Sequence, residues 1–154
     1  MPIPAKLALA FIAILAVSPV PALAVDSDPS PPANPDHEAG KRAIEAKNWA
    51  AAITSLSAAE RRDSRNADVH NLLGYAYRNA GQLEPAFKHY QRALQINPRH
   101  LGAHEYIGET YLMTKNLAKA EEHLAALKKF CLRVCEERDD LEKKVAEYKR
   151  NGGK

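Results

Sequence analysis

Glycine recurs at positions 40, 74 and 108, two equal steps of 34 residues, and a chain with that internal period is built from repeated units rather than one continuous core. Ala39-Gly40-x-x-Ala43, Leu73-Gly74-x-x-Tyr77 and Ile107-Gly108-x-x-Tyr111 align on the glycines. Twelve residues beyond each glycine stand Ala52, Ala86 and Ala120. Four further on come Leu56, Tyr90 and Leu124, and three beyond those Ala59, Ala93 and Leu127. Small residues let two helix axes approach and bulky ones fill the space between them, so the pattern predicts antiparallel helical hairpins. Asn48, Asn79-Ala80-Gly81 and Asn116 mark the turns inside the hairpins, and Pro85 falls in the first turn of a helix, where proline is tolerated. Asn34 is placed to cap a helix that begins at Pro35, with Asp36 and Glu38 in its first turn.

These residues carry a resemblance to the tetratricopeptide repeat family, whose pattern is W-x2-L-G-x2-Y, then A-x3-F, A and P over 34 residues. The unit at 67–100 matches best, with Leu73, Gly74, Tyr77, Ala86, Tyr90, Ala93 and Pro98. The unit at 101–134 keeps Gly108, Tyr111 and Ala120 but has Leu132 in the proline position, and the unit at 33–66 has Ala43 for the tyrosine and Ser64 for the proline. The tryptophan position holds Asp36, His70 and His104. The resemblance implies an all-α, right-handed helical-hairpin solenoid of three repeats. Residues 135–150 then form a closing helix, with Leu141, Val145 and Tyr148 as a narrow apolar stripe over the last hairpin's open face.

The flanks have another composition. Lys6 precedes the apolar run Leu7 to Val17, followed by Ala22-Leu23-Ala24, which predicts a signal peptide over 1–24 cleaved after Ala24 and an exported, periplasmic protein. Eleven apolar residues are too few to cross about 30 Å of hydrocarbon as a helix, so no membrane span is expected in the mature form. Residues 25–35, VDSDPSPPANP, read as an extended proline-rich tether. Removing Lys6 leaves 21 of the 22 basic residues against 19 acidic ones, a net +2 in mixed-sign helices that gives no footprint for nucleic acid.

Cys131 and Cys135 suit a local disulfide in an oxidising compartment, with a bend at Leu132 bringing them together. Their spacing lacks the C-x-x-C of redox centres. His100 and His104 are four apart with Glu105 and Glu109 nearby, and on one helix they would share a face as a metal pair requires, unless the helix begins after His100. His104 repeats the position of His70, which points instead to packing between the helices of a hairpin. No metal or cofactor is expected, and Ser55, Ser57 and Ser64 stand without a glycine elbow, so no catalytic residue is assigned.

The resemblance implies a concave face lined by positions 2, 5, 9 and 12 of each first helix. Here these are Asn34, His37, Lys41 and Ile44; Asp68, Asn71, Tyr75 and Arg78; and Gly102, Glu105, Glu109 and Leu112. Of these, His37, Lys41, Asn71, Tyr75, Arg78, Glu105 and Glu109 are the candidate groove residues for an unidentified protein or peptide. Relatives that clamp a chaperone's C-terminal carboxylate use lysine, asparagine and arginine where this chain has His37, Lys41, Leu72, Gly102 and Tyr106, which argues against that ligand. A scaffold role in an envelope assembly is the alternative, with a metal or redox accessory role resting on Cys131, Cys135, His100 and His104 as the lesser one, and the sequence leaves the oligomeric state open.

Overall fold

The computed structural model describes residues 34–153, so the expected signal peptide at 1–24 and residues 25–33 of the expected tether lie outside the described residues. Three hairpins follow in order: α1 (Pro35–Glu45) with α2 (Trp49–Arg62), α3 (Ala67–Asn79) with α4 (Leu83–Ile96), and α5 (Leu101–Met113) with α6 (Leu117–Phe130). The closing helix is α7 (Glu136–Arg150). Among the described residues there is no strand, and the array is an all-α helical-hairpin solenoid.

Asparagine starts most of these helices. Asn34 accepts from the backbone N–H of Asp36 at 3.1 Å, Asn48 from Ala51 at 3.1 Å, Asn66 from Val69 at 3.2 Å and Asn116 from Lys119 at 3.2 Å. Each such cap stabilises its helix by about 1 kcal/mol. The Asn34-Pro35 start also makes α1 begin two residues later than the period from Ala67 would place it (67 − 34 = 33), and the first hairpin is shortened at its entry.

Every first helix ends in the same turn. Lys47, Gly81 and Lys115, 34 residues apart, take left-handed φ of 53°, 78° and 59°. The next residue then donates its N–H back to the helix: Asn48 to the Ala43 carbonyl at 2.8 Å, Gln82 to Tyr77 at 2.9 Å and Asn116 to Tyr111 at 2.8 Å. This is a Schellman ending, and Asn48 and Asn116 both close one helix and cap the next.

The core runs along the array as a series of clusters. Ala52, Leu56 and Ala59 of α2 pack on Val69, Leu73 and Ala76 of α3. Ala86 and Tyr90 of α4 pack on Ile107 of α5, and Leu124 and Leu127 of α6 on Leu141 and Val145 of α7. Each hairpin thus buries its face against the next, as a quasi-one-dimensional fold requires.

The glycines set how closely the helices approach. A Cβ on Gly74 would lie 2.6 Å from two carbons of the Tyr90 ring. At Gly108 the period suggests Leu124 as the facing residue, yet a Cβ there would meet Leu141 of α7 at 2.6 Å. The closing helix therefore crosses directly over α5 and reaches the face formed by the first helices.

Between α6 and α7 the chain leaves helical geometry at Cys131 (φ −95°) and re-enters after Cys135 (φ −154°). The two Cα atoms are 5.8 Å apart, inside the range of roughly 4.4–6.8 Å that a disulfide spans. Both cysteines are buried, while Leu132 and Val134 between them are 88% and 97% exposed. Arg138 donates to the carbonyls of Arg133 at 2.9 Å and Cys131 at 3.4 Å, which pins this loop to the start of α7.

Candidate functional site

The face formed by α3 and α5 is organised by an aromatic cluster. Tyr75 meets Trp49 of α2 edge-on at 6.1 Å between ring centroids and Tyr106 of α5 at 5.0 Å. The Arg78 guanidinium lies over both tyrosines, 5.1 and 5.2 Å from their centroids, and donates to the Glu109 carboxylate. A cation held over two ring faces and against a carboxylate is fixed in position.

Five of the seven candidate groove residues, Asn71, Tyr75, Arg78, Glu105 and Glu109, fall on α3 and α5, but few of them offer a free group. Arg78 spends its charge on Glu109, and the two side chains are only 11% and 19% exposed. Asn71 is buried, its amide nitrogen lodged in the space left by the missing side chain of Gly102. Glu105 is also buried. Burial, with Glu109, Asp140 and Glu137 nearby, pushes its carboxyl up to about 8, so it is mostly protonated at neutral pH and is no anionic contact. His37 is half-buried and Lys41, on the surface of α1, is paired with Glu38 at 2.7 Å. Neither joins the aromatic cluster. Internal pairing thus removes much of the charge these residues would otherwise present.

The open space lies further along, toward the C-terminal ends of α3, α5 and α7. A cavity of about 520 Å³ has Arg78 and Glu109 among its lining, Leu112, Met113 and Lys115 on the α5 side, and Lys144, Glu147 and Tyr148 from α7 opposite. Met113 is 56% exposed. The sequence marked α7 as a closing helix only. The signal for its second role was present in Leu141, Lys144 and Tyr148, at i, i+3 and i+7, which share one helical face.

The repeated histidines take the interhelical role their position suggested. His70 contacts the Ser64 carbonyl through Nε2 at 3.1 Å and faces Nδ1 of His89 through its own Nδ1 at 3.2 Å. His104 repeats this on the Pro98 carbonyl at 3.1 Å and His123 at 2.9 Å. Burial lowers the pKa of His89 and His104 and takes His123 down to about 4, which keeps these rings neutral. His100 and His104 do not converge as a metal pair. His100 precedes α5, caps it by accepting from the Ala103 N–H at 3.2 Å, and turns Nε2 to Asp68 at 2.9 Å.

Residues 67–100 match the tetratricopeptide repeat family. The chain is 37% identical over 60 residues to the protein O-mannosyl-transferase Tmtc3 of Drosophila melanogaster, 39% of this chain but 6% of that protein. It is 42% identical over 55 residues to the uncharacterized protein ycf37 of Pyropia yezoensis, 36% of this chain and 31% of that protein. The chain thus spans less than a third of the length of either relative. Among solved structures, the TPR domain of Arabidopsis OM64 superposes with a TM-score of 0.66 at 18% identity, over 73% of this chain and 93% of that chain. That likeness is one of fold. Tetratricopeptide domains are generally non-enzymatic and mediate contacts between proteins.

Proposed function

On this repeat scaffold, we propose that the protein is a non-catalytic adaptor that binds a peptide or a partner helix in the groove between α3, α5 and α7. The observation that carries the reading is the cavity of about 520 Å³ with exposed Met113 at its side and Tyr148 opposite. An apolar anchor would seat between these two side chains, and Lys115, Lys144 and Glu147 would read polar groups at the rim. Arg78 and Tyr75 set the shape of the wall and do not supply the free contact.

We place the protein in the bacterial periplasm after cleavage following Ala24, with Cys131 and Cys135 joined as a structural disulfide. Support comes from the Lys6 and Leu7–Val17 leader, the Ala22-Leu23-Ala24 site and the 5.8 Å Cα separation. The test is co-purification from the periplasmic fraction with the wild type and with Met113→Glu/Tyr148→Ala, both checked for helical content. The double variant should lose partners the wild type retains. An unchanged set of partners on a folded variant removes the groove as the site.

A scaffold role in an envelope assembly is favoured by one observation, the exposed apolar pair Leu132 and Val134 on the cysteine loop. Light scattering of the purified protein separates the readings, because a stable oligomer that Leu132→Ser/Val134→Ser dissolves supports the scaffold and a monomer supports the adaptor.

A further inference from the structure

We propose that Glu60, His70 and His89 form a binding site for a divalent transition metal ion of the zinc type. The three donors come from α2, α3 and α4, and their ligand atoms all lie within 4.8 Å of one another. His70 Nδ1 is 3.2 Å from His89 Nδ1 and 3.6 Å from Glu60 Oε1. Ligands on a tetrahedral zinc at about 2.0–2.1 Å stand roughly 3.4 Å apart, so the His70–His89 and His70–Glu60 spacings need little adjustment, and a turn of the partly exposed Glu60 side chain closes the set. Two imidazoles and a carboxylate suit zinc and its neighbours, with water as the fourth ligand.

The surroundings prepare the donors. The His70 Nε2 hydrogen is committed to the Ser64 carbonyl, which leaves the Nδ1 lone pair facing the centre of the cluster. A second hydrogen bond of that kind is the usual support of a metal-bound histidine. The His89 ring is stacked on Tyr77 with 5.3 Å between centroids, which fixes its plane. Glu60 has about a third of its side chain exposed, at 32%, and provides the route in from solvent.

The next repeat supplies an internal comparison. His104 and His123 reproduce the imidazole pair, the Nε2 contact to a connector carbonyl and the stacking, here on Tyr111 at 5.7 Å. Position 94, one period beyond Glu60, is leucine. The histidine pair alone is thus a packing element of this array, and among the described residues only the junction between the first and second hairpins adds a third donor. An ion there would join α2 of one hairpin to both helices of the next.

The test is calorimetric titration of the tag-free full chain with Zn²⁺, alongside thermal melts with and without the ion. The wild type should take up one equivalent and melt higher with it, because an ion that binds only the folded state stabilises it. Glu60→Gln, on a partly exposed side chain, should keep the fold and weaken binding on the order of tenfold, and His89→Gln on the order of 100-fold. His123→Gln should leave the affinity unchanged. Absence of saturable binding, binding that survives Glu60→Gln at full strength, or an equal loss in His123→Gln overturns the proposal.

Discussion

Replacing Gly74 by alanine tests the packing logic of the array at one of its close helix-helix joints. The added Cβ would lie 2.6 Å from Cδ1 and Cε1 of Tyr90 and 3.0 Å from Cγ, well inside ordinary contact. The ring is fully buried, with Tyr106 centred 6.4 Å away on α5, so relief requires moving a side chain that other helices hold. Overpacking of this kind costs about 1–3 kcal/mol. Alanine in a helix interior recovers up to about 1 kcal/mol relative to glycine. With the ring buried and held against Tyr106, the net effect should be a loss of about 1–2 kcal/mol, or a melting temperature lower by roughly 3–10 °C for a fold of this size. Urea and thermal unfolding measure it. The same substitution in a Tyr90→Ala background should instead stabilise by about 0.5–1 kcal/mol, since only the propensity gain remains. If Gly74→Ala melts at or above the wild type, or costs the same in both backgrounds, the close approach to Tyr90 does not govern this joint.

Two further outcomes follow from local structure. Glu105 holds in the folded state a proton that the unfolded chain releases above its ordinary carboxylate range, so stability should fall as pH rises from about 4.5 to 8. Urea midpoints of Glu105→Gln should match the wild type near pH 5 and exceed it at pH 9, by on the order of a few kcal/mol at most. Lys115 occupies the left-handed turn position that glycine fills in the second hairpin, so Lys115→Gly should raise the melting temperature slightly, by about 0.5–1 kcal/mol of stability. A lower melting temperature would argue against strain at that residue.

The hairpins were legible in the sequence because their requirements are local and recur with the period. Gly40, Gly74 and Gly108 must be small where a neighbouring side chain presses on the helix, and Asn34, Asn48 and Asn116 must cap or turn where the chain reverses. Even the unusual His70 and His104 could be placed between paired helices from their shared position. Their partners could not, because His89 and His123 lie 19 residues away and are selected by how α3 meets α4 and α5 meets α6. The candidate groove was legible as a face and not as a set of available groups. Arg78 finds Glu109 across 31 residues, and Glu105 is covered when α7 packs on α5. Both depend on the rotation from one hairpin to the next, which no local pattern encodes. The shared helical face of Lys144 and Tyr148 was legible in the spacing, but that this face closes a cavity against α3 and α5 was not, for the same reason.

The contacts of His70 to the Ser64 carbonyl and of His104 to the Pro98 carbonyl fasten each connector to the hairpin that follows it. Connectors between stacked units are where such an array would otherwise flex, and here each is tied to a buried ring. These ties stiffen the pitch of the coil, as in a spring rather than a hinge. On the proposed adaptor reading, ordering on complex formation then falls mostly on the incoming chain. A ligand already constrained as a helix or a closed loop should bind this protein more tightly than the same residues in a flexible peptide.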